Sequence, residues 1–165
     1  MRSELRYSLV IALILVIMTT IISIASPIEL LFSVEPRLIA PNGNLVYVVY
    51  DNDSIYWVNY TPLYIYAWRF SAVMFLLWIA TVIIYVVKPL KTADALSMIL
   101  AVVFAASEYI YLYSIGAKVT ILPLTYILYT IGKPLLFIDV GQLALIYALW
   151  RAFKNSLISI RRGGK

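Results

Sequence analysis

Residues 95–115, ALSMILAVVFAASEYIYLYSI, run for 21 positions with one charged side chain, Glu108. That is the length a helix needs to cross a bilayer core, ~20 residues at 1.5 Å each. Three further apolar runs, 7–25, 70–87 and 135–151, are of similar length. Together they predict an all-α membrane protein, a four-helix transmembrane bundle, with a small extracytoplasmic β-hairpin or meander inserted at 26–68.

Composition points the same way. The 165 residues are 64% hydrophobic with a mean hydropathy of +0.94, well above the ~45–50% apolar content of soluble domains. The chain has room for a single membrane domain and no separate catalytic domain. Cysteine and histidine are both absent, which excludes disulfides, thiol catalysis and zinc-thiolate sites. The usual protein ligands of haem, copper and iron–sulfur clusters are missing as well, apart from methionine. No metal or cofactor is therefore expected. The net charge of +5 sits at the ends of the apolar runs, so its natural partner is the membrane surface and not nucleic acid.

Basic residues set the orientation. With the N-terminus inside, Arg2, Arg6, Lys88, Lys91, Arg151, Lys154, Arg161, Arg162 and Lys165 are cytoplasmic, and only Arg37, Arg69, Lys118 and Lys133 lie outside. The positive-inside rule then gives a multi-pass protein of the cell membrane with both termini cytoplasmic. The first run, ending Ser23-Ile24-Ala25, also resembles a secretory signal with a small-residue cleavage site. A retained anchor is the preferred reading, because Ser8, Ala12, Thr19 or Thr20, and Ser23 recur at helical spacing and form a small-residue stripe of the kind on which helices pack in lipid.

In the insertion the periodicity changes from helical to extended. Pro41-Asn42-Gly43-Asn44 is a turn signal, and two β-branched and aromatic stretches, 45–50 and 54–60, flank Asp51-Asn52-Asp53, which predicts a hairpin. Residues 37–40 offer a third strand. Tyr47, Tyr56 and Trp57 are the candidates for docking a partner, since a hairpin cannot bury both of its faces. Two sequons, at Asn52 and Asn59, fall on the same side. Residues 119–131 are apolar but too short to span and are broken by Pro123, so they are expected to be interfacial or re-entrant. Residues 152–165 form a basic cytoplasmic tail, either a helix along the inner leaflet or a frayed end.

The residues that could carry chemistry are Glu108 and Asp139, with Gln142 one turn beyond. An ionisable group inside a span costs at least ~2.5 kcal/mol and needs compensation. Counting from the ends of their runs puts both acids at matching depth, so the two can meet. Ser97, Ala101 and Ala105 form a small-residue ladder beside Glu108, which directs that face towards other helices. The pair has three readings: a shared proton or cation site, acids held by Tyr, Ser or Thr hydroxyls or by Lys118, Lys133 or Arg69, or partners of a charge on another subunit. Most of the 14 tyrosines fall where bilayer interfaces place aromatic anchors. No nucleotide loop, hydrolase elbow or zinc-helix motif is present.

The leading functional expectation is a non-catalytic multi-pass subunit or assembly factor of a larger membrane complex. Its partners would be the lipid bilayer and other membrane or extracytoplasmic subunits, or further copies of itself. The alternative is a small oligomeric transporter or channel protomer using Glu108 and Asp139 as a proton or cation site.

Overall fold

The computed structural model describes residues 2–25, 47–51, 54–58, 61–129 and 134–163. Among these the protein is mostly helical: α1 (Arg2–Ala25), α2 (Leu63–Val87), α3 (Lys91–Ser114) and α4 (Val140–Gly163). Two antiparallel sheets complete it. The first is the hairpin β1 (Tyr47–Asp51) and β2 (Ser54–Val58), the second a meander of β3 (Lys118–Leu122), β4 (Thr125–Tyr129) and β5 (Pro134–Ile138) in the order β3-β4-β5.

Among the described residues three helices are long and apolar enough to cross a membrane: residues 4–25 of α1, all of α2 and all of α3. Pro89 separates α2 from α3, since it lacks the N–H a continuing helix would use and keeps Lys88 extended. Lys88 then closes α2 with its N–H on the Ile84 carbonyl at 2.8 Å. The core is a small-residue seam filled by aromatics. Ser8, Ala12, Thr19 and Ser23 are the buried positions of α1, and Ser97, Ala101 and Ala105 are buried on α3. Small side chains let helix backbones approach closely. Trp78 of α2 stacks on Phe104 of α3 at 5.7 Å and meets Tyr147 of α4 edge-on at 5.8 Å.

The predicted fourth span differs from the structure at its start. Leu135 to Ile138 form strand β5, and the helix begins only at Val140. An unbroken apolar run cannot show where strand gives way to helix; the change is made at Asp139, whose side chain caps α4. The 119–131 segment, expected to be interfacial or re-entrant, contributes β3 and β4. Register pairs Leu122 with Thr125 and Lys118 with Tyr129, while β5 pairs Ile138 with Thr125 and Pro134 with Tyr129. This sheet has no counterpart in the all-α expectation. Its strands carry apolar residues on both faces, so they lack the alternation that marks a half-buried strand. The basic tail is helical as far as Gly163.

The 47–58 hairpin forms with Tyr47 opposite Val58 and Asp51 opposite Ser54. The third strand expected at 37–40, both sequon asparagines and the side chains of Tyr47, Tyr56 and Trp57 lie outside the described residues.

Candidate functional site

Several polar groups converge at the start of α4. Asp139 is wholly buried. Its Oδ1 accepts the Gln142 backbone N–H at 2.7 Å, and its Oδ2 accepts Gln142 Nε2 at 2.8 Å. This is an N-cap, in which an acidic side chain satisfies a helix N–H that has no partner within the helix and sits at the positive end of the helix dipole. Tyr109 of α3 donates its hydroxyl to the same carboxylate, at 3.1 Å from Oδ2.

Gln142 also holds the meander. Its Nε2 donates to the Leu122 carbonyl at 2.8 Å and its Oε1 accepts the Leu124 N–H at 2.9 Å. The Asp139 N–H donates to the Leu124 carbonyl at 2.9 Å. Leu124 has a φ of 61°, a left-handed conformation that costs a non-glycine residue roughly 1–2 kcal/mol. Pro123 before it and these bonds around it keep the β3–β4 turn in that form.

Glu108 reaches the same point from α3. A Cβ on Gly141 would lie 2.7 Å from Glu108 Oε2, 3.3 Å from Asp139 Oδ1 and 3.5 Å from the Ala105 Cα. Only glycine therefore lets α4 start here with both carboxyl groups turned towards it. The Gly141 N–H faces the Glu108 carboxyl, yet Oε2 is buried with no partner in hydrogen-bond geometry among the described residues. Glu108, Asp139 and Gln142 thus come together at the start of α4. Asp139 sits at the N-cap of α4 and not within the helix.

A second polar cluster, at the other end of the bundle, was not foreseen. Arg151 of α4 donates from Nε and Nη2 to Asp94 Oδ1 at 2.8 and 2.5 Å, and from Nη2 to the Tyr85 hydroxyl at 2.6 Å. Asn155 Nδ2 donates to Asp94 Oδ2 at 2.7 Å. The guanidinium lies 4.5 Å from the centre of the Tyr85 ring. The two charged side chains are only 6% and 11% exposed, whereas the charge rule treats Arg151 as a surface cation. Residues 94 and 151 are too far apart in sequence for spacing to connect them. Arg69 is similarly committed, donating from Nη1 to the Ser23 carbonyl at 3.1 Å in the last turn of α1.

An apolar groove of about 460 Å³ between α2 and α3 is lined by Leu63, Ala67, Phe70, Val102, Ala106 and Ile110 among others. Ser107, its polar lining residue, turns its hydroxyl back to the Phe104 carbonyl at 2.7 Å. The groove therefore offers no polar anchor of the kind that orients a small ligand. Among the described residues no group of three or more Asp, Glu, His or Cys is placed to hold a metal ion.

Comparison of the chain with protein-family models, with curated proteins and with solved structures finds no match. The functional reading accordingly rests on geometry alone.

Proposed function

We propose that the protein is a non-catalytic, multi-pass subunit or assembly factor of a larger complex in the cell membrane, with both termini cytoplasmic and the two sheets on the outer side. The observation that carries this reading is how the ionisable groups within the bundle are used. Asp139 caps α4 and anchors the meander, Asp94 and Arg151 join α3 to α4, and Arg69 ties α2 to the end of α1. Groups held by several fixed protein partners build a scaffold, whereas a transport site must exchange partners during its cycle.

One observation favours the second reading, a small oligomeric transporter or channel protomer: Glu108 Oε2 is buried with no partner in hydrogen-bond geometry among the described residues, at a helix start inside the bundle. Discontinuous helices that begin within a membrane are where carriers place their sites. Reconstitution separates the two. The purified chain in sealed vesicles should show no proton or alkali-cation flux above that of empty vesicles, and Glu108→Gln should leave assembly unchanged. Flux in the wild type that both Glu108→Gln and Asp139→Asn abolish would overturn the subunit reading in favour of a carrier.

A further inference from the structure

We propose that the β3–β4–β5 sheet is a re-entrant element sunk into the outer leaflet, its apolar surfaces covered by lipid acyl chains. The inference rests on the membrane reading above and adds a second, non-helical contact with the bilayer.

Depth comes from the packing of α4 against α3. Gly141 faces the Ala105 backbone, Tyr147 meets Ser97 at 2.9 Å and Arg151 meets Asp94, so the two helices run antiparallel in a defined register. Ala105 lies nine residues before Ser114, which starts α4 about 13 Å below the end of α3. From Gly141 to Asn155, whose side chain bonds Asp94 in the first turn of α3, is a step of fourteen residues, about 21 Å of helix against a hydrocarbon core of ~30 Å. Alone, α4 stops short of the outer surface, and the meander occupies the missing depth. Its β3–β4 turn is bonded to Asp139 and Gln142 at the level where α4 begins.

The surface of the sheet suits that position. Towards its deep end Leu136 and Ile138 are each 67% exposed and Ile121 is exposed on the opposite face, with Leu135 exposed on that face nearer the other end. At the other end stands the row Lys118, Tyr129 and Pro134, with the Lys118 ammonium 5.4 Å from the centre of the Tyr129 ring. An aromatic and a cation at the rim, with aliphatics below, is the order found across a bilayer interface. The exposed apolar residues continue down α4 through Leu143 and Ile146.

Backbone polarity is handled by depth as well. Open sheet edges are not tolerated in hydrocarbon, because unpaired N–H and C=O groups there cost several kcal/mol each. The deepest backbone groups, the Leu122 carbonyl and the Leu124 N–H and carbonyl, are those taken up by Gln142 and Asp139. The edge groups of Lys118 and Pro134 lie at the rim, within reach of headgroups and water.

The chain contains no cysteine, so single cysteines can be labelled with an environment-sensitive fluorophore in the full-length protein reconstituted in phosphatidylcholine vesicles. Leu136→Cys and Ile138→Cys test the sheet, Ile146→Cys reports the lipid-facing side of α4, and Ser54→Cys reports water. The sheet probes should show blue-shifted emission, quenching by nitroxide-bearing acyl chains as at position 146, and loss of iodide quenching relative to position 54. Iodide quenching at 136 and 138 with lipid quenching at 146 would overturn the inference and leave the membrane reading intact. Quenching by neither agent at 136 and 138 would mean that protein covers the sheet, and would overturn it too. Iodide quenching at 146 would remove the membrane reading and this inference together.

Discussion

Gly141 of α4 and Glu108 of α3 meet so closely that a single methyl group at Gly141 would lie 2.7 Å from Glu108 Oε2. The obstacle is the end of a flexible side chain, so Gly141→Ala should push the carboxyl aside without dislodging the helix. Alanine is otherwise preferred to glycine in a helix by about 1 kcal/mol. The substitution should therefore be mildly destabilising in the native chain and neutral to stabilising in a Glu108→Ala background. Thermal unfolding of the four variants in detergent gives the coupling, expected within the 0.5–3 kcal/mol range of contacting pairs. Additive effects would show that the two residues do not interact.

Asp139 should behave as a cap. Asparagine is an equally good N-cap, while alanine costs about 1 kcal/mol and up to 2. Asp139→Asn should keep most of the stability and Asp139→Ala should lose it, with faster hydrogen exchange at the Gln142 amide. Equal losses in both variants would mean that the charge, and not the capping geometry, is what matters.

The Arg151–Asp94 pair predicts a different pattern. Removing one partner of a buried pair strands the other, at about 3–5 kcal/mol, whereas replacing both with apolar residues can be close to neutral. Arg151→Met should therefore lower the unfolding temperature sharply, and adding Asp94→Leu should recover much of the loss. Failure of the double variant to recover would assign the stability to the Tyr85 and Asn155 bonds instead.

Cysteines introduced at Ser54 and Ser159 report topology without competing thiols. In intact cells an impermeant maleimide should label position 54, and position 159 only after permeabilisation. Labelling at 159 from outside would reverse the assignment of the C-terminus.

Much of this architecture was legible in the chain, for reasons specific to each segment. The long apolar runs of α1, α2 and α3 have no alternative in water, and the Ser8–Ser23 stripe and the Ser97–Ala105 ladder coincide with the buried faces. The start of α4 was obscured because Leu135 to Ile138 are as apolar as the helix that follows. A cue was present in Asp139-Val140-Gly141-Gln142, an acidic cap with Gln three positions on, which is the pattern of a capping box. The meander could not be read from alternation, because both of its faces are apolar. The Asp94–Arg151 pair depends on the antiparallel register of α3 and α4, which no local pattern encodes.

Membership of a larger membrane assembly can be read from the mass of the particle extracted from its native membrane in a mild detergent and weighed by native mass spectrometry. The expected particle has the 18.7 kDa chain joined in fixed stoichiometry by at least one other polypeptide, with Trp57→Ala on the β1–β2 hairpin releasing that polypeptide while the melting temperature of the isolated chain is unchanged. A particle made of this chain alone, in wild type and Trp57→Ala alike, would contradict it.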